Sequence, residues 1–295
     1  MNQQDMTAKM AARQGFIAAL DQSGGSTPKA LRGYGIDDGE WSGDDEMFDL
    51  IHQMRCRIIT SPSFANGKVI GAILFERTMD GTVDGMPVPR ALIERGIVPF
   101  LKIDKGLEDE ADGVQLMKPM PGLDALLERA KALGVFGTKE RSVIHSANLA
   151  GIAALVAQQF EVGRQVIDRE MMPILEPEYA IKAPDRAEGE AILKAAIVSQ
   201  LDALPEGRQV MLKLSIPVVP NFYCELIGHP KVLAVVALSG GYSTDEACAE
   251  LAKNSGMIAS FSRALLQDLR VQQSDAEFDR TLGAAIDEIY QASVR

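Results

Sequence analysis

The sequence predicts an α/β protein, a single (β/α)8 TIM barrel over residues 1–295. Three observations lead to this prediction. Eight short apolar runs are spaced along the chain, and segments of helical periodicity lie between several of them. The length of 295 residues also suits such a barrel, which typically needs about 250 residues. Alternating strands and helices of this kind pack as a parallel sheet with helices outside.

The eight apolar runs lack strict alternation of apolar and polar residues, which is typical of parallel strands buried on both faces. They lie near residues 15–20, 69–75, 97–103, 135–144, 172–176, 209–215, 232–238 and 257–261. We expect each run to form one strand of the barrel.

Four longer segments repeat apolar residues three and four positions apart, which predicts helices. These segments are 123–133, 147–167, 184–204 and 243–256. The third opens with acidic residues, as a helix amino terminus prefers. In the fourth, Ser243 and Glu246 have the spacing of a capping box, and Gly256 is predicted to end the helix.

The main alternative fold is an open, doubly wound sheet. Such a sheet normally carries a GxGxxG turn after an early strand, and the sequence has none. Residues 34–50 are acidic and glycine-rich and are predicted to form an exposed loop, and 106–119 a second loop. We find no linker rich in Pro, Gly or Ser and therefore expect one domain.

Composition narrows the class of protein. Thirty basic and forty-one acidic residues give a formal net charge of −11, which argues against a general nucleic-acid-binding protein. The three cysteines, Cys56, Cys224 and Cys248, are widely spaced, so we expect no disulfide framework and a reducing cytoplasmic location. The sequence shows neither a secretory signal nor a run of about 18 apolar residues, so no membrane partner is expected.

The three histidines, His52, His145 and His229, are far apart, and no HExxH motif is present. We therefore expect neither a metal nor another cofactor.

Polar or glycine-rich residues follow seven of the eight predicted strands, at the end where barrels of this class carry their active sites. They are Asp21 with Ser23, Gly24, Gly25 and Ser26; Lys102 and Asp104; Lys139 and Arg141; Glu176 and Glu178; Lys213; Ser239, Gly240 and Gly241; and Arg263. Paired residues two positions apart face the same side of a strand. Each pair alone could equally be a structural salt bridge, but seven such clusters at one end favour a functional site.

Lys213 stands inside the apolar run VMLKLS. Burial and neighbouring cations favour the neutral form of a lysine amine, and a neutral amine is what Schiff-base chemistry requires. The alternative is a structural lysine paired with Glu176 or Asp104.

Ser239, Gly240 and Gly241 precede a predicted helix and could cradle an oxyanion with their main-chain N–H groups, with Arg263 adding a bidentate contact. The stretch from Ser23 to Ser26 is either a second phosphate-binding loop or only a flexible turn.

The chain resembles the class I fructose-bisphosphate aldolases, in particular their shorter bacterial branch. The likeness runs over nearly the whole chain, through LDQSGGSTPKAL, GAILFERTM, FLKIDKGL, GTKERSVI, PILEPE, VMLKLS, ALSGGYS and SFSRALLQ. It implies reversible cleavage of fructose 1,6-bisphosphate into dihydroxyacetone phosphate and glyceraldehyde 3-phosphate, a step of glycolysis and gluconeogenesis. Its partners would then be sugar phosphates.

The resemblance also implies a role for each matched residue. Lys213 would be the Schiff-base lysine, Glu176 and Glu178 the acid/base carboxylate and its neighbour, and Asp21 the aspartate that assists carbinolamine and carbon–carbon bond chemistry. Lys139 would stabilise charge near the scissile bond. The substrate-binding residues would be Lys102, Arg141, Ser239, Gly240, Gly241 and Arg263, with Ser23 and Ser26 at the other phosphate.

The sequence departs from the longer animal-type relatives in two places. Those relatives end in a tyrosine that assists proton exchange, whereas the last tyrosine here is Tyr290, which we leave out of the site. Gln22 replaces an acidic residue.

Two other functions stay open, another Schiff-base lyase acting on a one-phosphate sugar or keto acid, and a non-catalytic sugar-phosphate-binding barrel. A metal-dependent class II aldolase is disfavoured by the lack of clustered histidines. A homo-oligomer is compatible with the sequence.

Overall fold

Eight parallel strands form the barrel in a computed structural model that describes residues 1–294. The strands are β1 (Phe16–Leu20), β2 (Val69–Leu74), β3 (Val98–Lys102), β4 (Gly137–Ile144), β5 (Met172–Tyr179), β6 (Val210–Ser215), β7 (Val232–Leu238) and β8 (Met257–Ala259). Each pairs in parallel with the next along the chain. The main-chain N–H of Ala19 donates to the carbonyl of Phe261 at 3.1 Å, which links the last strand to the first. The predicted barrel is confirmed.

Helices cover the outside of the barrel. They are α1 (Gln3–Ala12), α2 (Ser26–Tyr34), α3 (Gly43–Thr60), α4 (Glu76–Met79), α5 (Val88–Glu94), α6 (Leu123–Ala132), α7 (Leu149–Asp168), α8 (Arg186–Ala203), α9 (Cys224–Ile227), α10 (Thr244–Leu251), α11 (Arg263–Leu266) and α12 (Asp275–Ser293). A small hairpin joins Thr82–Val83 to Met86–Pro87, and Val114–Gln115 pairs antiparallel with β4. No helix in this part of the chain is long and apolar enough to span a membrane.

The prediction of a loop over residues 34–50 was wrong in its second half, because α3 begins at Gly43. Three acidic residues in its first turn, which made the segment look like a loop, favour a helix amino terminus. Met47, Ile51, Met54 and Ile58 then recur at helical spacing and are buried.

The prediction that Gly256 ends α10 was also wrong, since the helix ends at Leu251. The side chain of Asn254 donates to the carbonyl of Glu250 and accepts from the main-chain N–H of Asn221, which fixes the turn after the helix. The predicted capping box of Ser243 and Glu246 is confirmed.

Two apolar clusters hold the barrel together. One fills the space between strands and helices, and the other fills the barrel interior towards the amino-terminal ends of the strands. Met6 and Met10 of α1 belong to the inner cluster with Ile17 and Phe100, so α1 covers that end of the barrel. Burying each such large side chain contributes roughly 1.5–3 kcal/mol. The opposite end is left for polar side chains.

Candidate active site

All thirteen residues to which the resemblance gives a role line one cavity of about 1150 Å³ at the carboxyl-terminal ends of the strands. They are Asp21, Ser23, Ser26, Lys102, Lys139, Arg141, Glu176, Glu178, Lys213, Ser239, Gly240, Gly241 and Arg263. The cavity forms because parallel strands of a barrel all end on the same side.

Successive side chains of β4 point to opposite faces of the strand, and only those on one face reach the cavity. Lys139 and Arg141 line it, as their spacing predicted, whereas Glu140 between them is fully buried on the opposite face of the strand. There Thr138 donates a hydrogen bond to the Glu140 carboxyl at 3.2 Å, and Gln159 of α7 donates to the Glu140 carbonyl. Burial raises the pKa of Glu140 well above its usual range, which favours the protonated form of this side chain.

Four charges of alternating sign form a row across the floor of the cavity. Lys139 Nζ lies 2.7 Å from Asp21 Oδ2 and 2.9 Å from Glu176 Oε2. Lys213 Nζ lies 3.0 Å from Glu176 Oε1. None of the four side chains is more than one-tenth exposed, so these contacts act where solvent screening is weak.

Charges within the row shift the pKa values of Asp21, Glu176 and Lys139. Burial by itself would raise the pKa of Asp21, but Lys139 and Lys213 outweigh it and hold that pKa well below the usual value. The same two lysines lower the pKa of Glu176 against its burial. Burial disfavours a charged Lys139, yet Asp21 and Glu176 raise its pKa, so it stays cationic between two carboxylates.

The ion pair named as the structural alternative for Lys213 forms with Glu176 and not with Asp104, because Asp104 is engaged elsewhere. Lys102 Nζ lies 2.6 Å from Asp104 Oδ1, and the main-chain N–H of Arg141 donates to Asp104 Oδ2. This network fixes the position of Lys102 on the cavity wall.

Glu178, which was expected beside the acid/base carboxylate, instead pairs with Arg141, with 2.5 Å between Arg141 Nε and Glu178 Oε2. Both side chains are part-exposed, whereas Glu176 is 3 % exposed. Successive carboxylates at positions 176 and 178 therefore occupy different depths, one on the floor and one at the mouth of the cavity.

Gly240 and Gly241 form a tight turn between β7 and α10. Both have positive φ angles, +59° and +117°, and a Cβ at Gly240 would lie 2.5 Å from the Ile181 side chain. A side chain is therefore disfavoured at position 240, and the bare backbone faces the cavity. The Arg263 guanidinium lies beside Gly241, as predicted.

The turn from Ser23 to Ser26 is stabilised by its own side chain. Ser26 Oγ accepts from the main-chain N–H of Ser23 at 2.9 Å and donates to the Ser23 carbonyl at 2.8 Å. Lys29, one turn further along α2, also lines the cavity and was missed from the sequence. Its position three residues after Ser26 on a helix could have shown that it faces the same way.

Ser260 and Tyr242 also line the cavity and were not predicted, and the hydroxyl of Ser260 is buried without a hydrogen-bond partner. Tyr290 lies elsewhere. Its ring is 5.6 Å from Lys68 Nζ, and Lys68 precedes β2, at the end of the barrel opposite the cavity. Among residues 1–294, no group of three or more His, Cys, Asp or Glu side chains is arranged to hold a metal ion.

Comparisons with known proteins agree on one family. The family model for fructose-bisphosphate aldolase class-I matches residues 3–199. A "Fructose-bisphosphate aldolase class 1" of Porphyromonas gingivalis is 56% identical over 296 residues, covering 100% of both chains.

Solved structures share the fold. A Plasmodium falciparum fructose-bisphosphate aldolase, crystallised with TRAP and a small-molecule inhibitor, superposes with a TM-score of 0.72 at 18% identity, covering 99% of this chain and 96% of its own. A Corynebacterium glutamicum protein superposes with a TM-score of 0.55 at 14% identity, covering 97% and 92%.

Proposed function

The chain belongs to the class I fructose-bisphosphate aldolases, and we propose that it cleaves fructose 1,6-bisphosphate through a Schiff base on Lys213. The observation that carries this assignment is that Lys213 lines the open cavity as well as lying 3.0 Å from Glu176, whereas a purely structural lysine would have no access to a substrate. A buried amine beside a buried carboxylate has a proton acceptor at hand, which is what an amine nucleophile needs.

The first steps form the covalent intermediate. Glu176 takes a proton from the Lys213 ammonium, and the neutral amine attacks the ketone carbon of the sugar. Glu176 then returns the proton to the carbinolamine hydroxyl, which leaves as water, and a protonated imine remains. Lys139 lies 2.9 Å from the other oxygen of Glu176 and orients this side chain for both proton transfers.

The imine makes carbon–carbon cleavage feasible because it accepts an electron pair. Asp21 removes the proton from the hydroxyl on carbon four, that carbon becomes the aldehyde of glyceraldehyde 3-phosphate, and the electrons of the bond between carbons three and four form an enamine. Protonation of the enamine and hydrolysis of the imine release dihydroxyacetone phosphate and free Lys213. The neighbouring lysines keep Asp21 ionised at neutral pH, which is the form that can accept this proton.

Two phosphate clamps would hold the substrate across this row of charges. The backbone turn at Ser239–Gly241 with Arg263 supports one of them, and Ser23, Ser26, Lys102 and Arg141 support the other. Lys29 supplies a further cation on the side of Ser23 and Ser26. Fixing both ends of the substrate removes much of its translational and rotational freedom before reaction.

A lyase for one-phosphate sugars is the second candidate, because the Ser26 hydroxyl is already used within its own turn. Competition between mono- and bisphosphate sugars distinguishes the two. We also propose a cytoplasmic location without a nucleic-acid partner, supported by three free cysteines and the net charge of −11.

Replacing the nucleophile tests the proposed reaction. Lys213→Ala is expected to abolish cleavage of fructose 1,6-bisphosphate while the folded structure is retained, and EDTA is expected to leave wild-type activity unchanged. Substantial turnover by Lys213→Ala would overturn the Schiff-base assignment. Lys231→Ala is a matched control, since this lysine binds main-chain carbonyls at 202 and 204, away from the cavity.

A further inference from the structure

Arg55 of α3 is a buried cation without a buried anion bound to it. Its side chain is 1 % exposed, and its hydrogen-bond partners within residues 1–294 are all neutral oxygens. Buried charges in proteins are normally paired, so this arrangement calls for an explanation.

The guanidinium of Arg55 links the active-site loop after β1 to the segment after β2. Nη2 donates to the main-chain carbonyl of Gln22 at 2.6 Å and to Gln22 Oε1 at 3.1 Å. Nη1 donates to Thr78 Oγ1 at 2.7 Å. Gln22 directly follows Asp21 after β1, and Thr78 lies in α4 after β2.

Gln22 extends the network to a third loop. Its Nε2 donates to Ser262 Oγ at 2.6 Å and to the carbonyl of Ala19 at 3.1 Å. Ser262 directly precedes Arg263. The buried guanidinium of Arg55 thus fixes the backbone next to Asp21. Through the side-chain amide of Gln22 it also fixes the residue next to Arg263.

The charge of Arg55 also acts on the same site. Burial lowers the pKa of Arg55 to about 10, and Asp21 is the main charge that opposes this decrease. The side chain is therefore still cationic at neutral pH. Since the hydrogen-bond partners of Arg55 are neutral, its charge is not cancelled by them and interacts with the Asp21 carboxylate.

We propose that Arg55 is a positioning residue, which acts through Asp21 by holding the main chain of Gln22 so that the Asp21 carboxylate faces Lys139 and the cavity. This inference rests on the proposed role of Asp21 in bond cleavage. A residue that only stabilises the barrel would weaken folding without acting through one particular carboxylate.

A double-mutant cycle distinguishes these roles, because residues that act through one another have non-additive effects. The variants are Arg55→Met, Asp21→Asn and the double variant, and the readout is single-turnover cleavage of fructose 1,6-bisphosphate with enzyme in excess. We expect Arg55→Met to slow cleavage by at least about tenfold when Asp21 is present. In the Asp21→Asn background we expect the same substitution to slow cleavage by less than about twofold.

Arg57→Met is the matched control. Arg57 lies on the same helix but bonds to Tyr34, Gln273 and Asp275, away from the cavity. It is expected to change the cleavage rate by less than about twofold in either background.

Equal losses of rate in the two backgrounds, or no loss in the wild type, would overturn the positioning role. If Arg55→Met does not fold, the same cycle is run with Arg55→Lys, which keeps the charge but lacks the planar fork. Arg55→Lys is expected to slow cleavage more when Asp21 is present than in the Asp21→Asn background. Equal losses of cleavage rate would again overturn the proposal. Wild-type protein that does not cleave the substrate would instead overturn the proposed function itself.

Discussion

Lys213 Nζ lies 3.0 Å from Glu176 Oε1, so the proposed nucleophile and its proton acceptor form an ion pair on the cavity floor. The other oxygen of the same carboxylate is held by Lys139. This arrangement assigns proton transfer to Glu176, and it separates Glu176 from Glu178, which pairs with Arg141 at the mouth.

Glu176→Gln tests whether Glu176, and not Glu178, carries out the proton transfer. The amide keeps the shape of the side chain but cannot accept a proton, so we expect formation of the Schiff base to slow by about 10²–10⁴-fold. The measurement is the rate of borohydride trapping with dihydroxyacetone phosphate. Glu178→Gln is the comparison, with an expected effect mainly on KM; equal slowing of trapping in both variants would contradict the assignment.

Lys139→Met removes the cation that Asp21 and Glu176 share. We expect the variant to lose roughly 3–5 kcal/mol of unfolding free energy, because buried carboxylates are left without their partner. Wild-type Asp21 and Glu176 have lowered pKa values, so their stabilisation is present above their ordinary pKa values, near 4, and is lost as pH falls. In Lys139→Met this loss at low pH is expected to be smaller, because the cation that lowers both folded-state pKa values is removed.

Urea unfolding between pH 4 and pH 8 measures both effects of Lys139→Met. The control is Lys105→Met, which removes a half-exposed ammonium paired with Glu76 on the surface. Its unfolding free energy is expected to change by less than about 1 kcal/mol. A Lys139→Met variant with the stability and pH dependence of the control would show that the row of charges does not operate as described.

Glu140→Gln tests the buried carboxyl on the helix-facing side of β4. The folded-state pKa of Glu140 is raised, so the native chain binds this proton more tightly than the unfolded chain does. Its carboxyl therefore destabilises the fold increasingly as pH rises above about 4.3, the unfolded pKa. We expect Glu140→Gln to gain at least about 1 kcal/mol relative to wild type between pH 5 and pH 7.5.

The measurement for Glu140→Gln is the urea midpoint across that pH range. Glu161→Gln, at an exposed position of α7, is the control and is expected to show no such trend. A constant difference between Glu140→Gln and wild type would mean that Glu140 is ionised in the folded protein.

Arg263→Ala tests the phosphate clamp beside the Gly240–Gly241 turn. Loss of a charge-assisted contact to phosphate is expected to raise KM for fructose 1,6-bisphosphate by about tenfold or more, with a smaller change in kcat. Arg270→Ala is the control, since the hydrogen bonds of the Arg270 side chain within the described chain go to the main-chain carbonyls of Gln267 and Leu269. An unchanged KM for Arg263→Ala would remove this residue from the site.

Much of the fold, and which residues line the cavity, could be predicted because both depend on the local pattern of apolar and polar residues in the sequence. Buried parallel strands are apolar runs, and polar residues at their ends converge by topology alone. The start of α3 was missed because its acidic first turn has the composition of a loop, although such residues also favour helix starts.

The detailed pairing could not be predicted, because it depends on residues far apart in the chain. Whether Lys213 pairs with Glu176 or Asp104 is decided by Lys102, which already occupies Asp104. The burial of Arg55 and its bond to Gln22, 33 positions away, leave no mark on the local pattern of α3. An arginine in an amphipathic helix is normally taken to face solvent.

The most direct test of the account is to trap the covalent intermediate. The protein is incubated with fructose 1,6-bisphosphate, reduced with borohydride and digested, and the modified peptide is located by mass spectrometry. The account predicts a reduced dihydroxyacetone phosphate adduct on Lys213, and none on Lys139. An adduct on another lysine, or no adduct while the protein still binds the sugar phosphate, would contradict it.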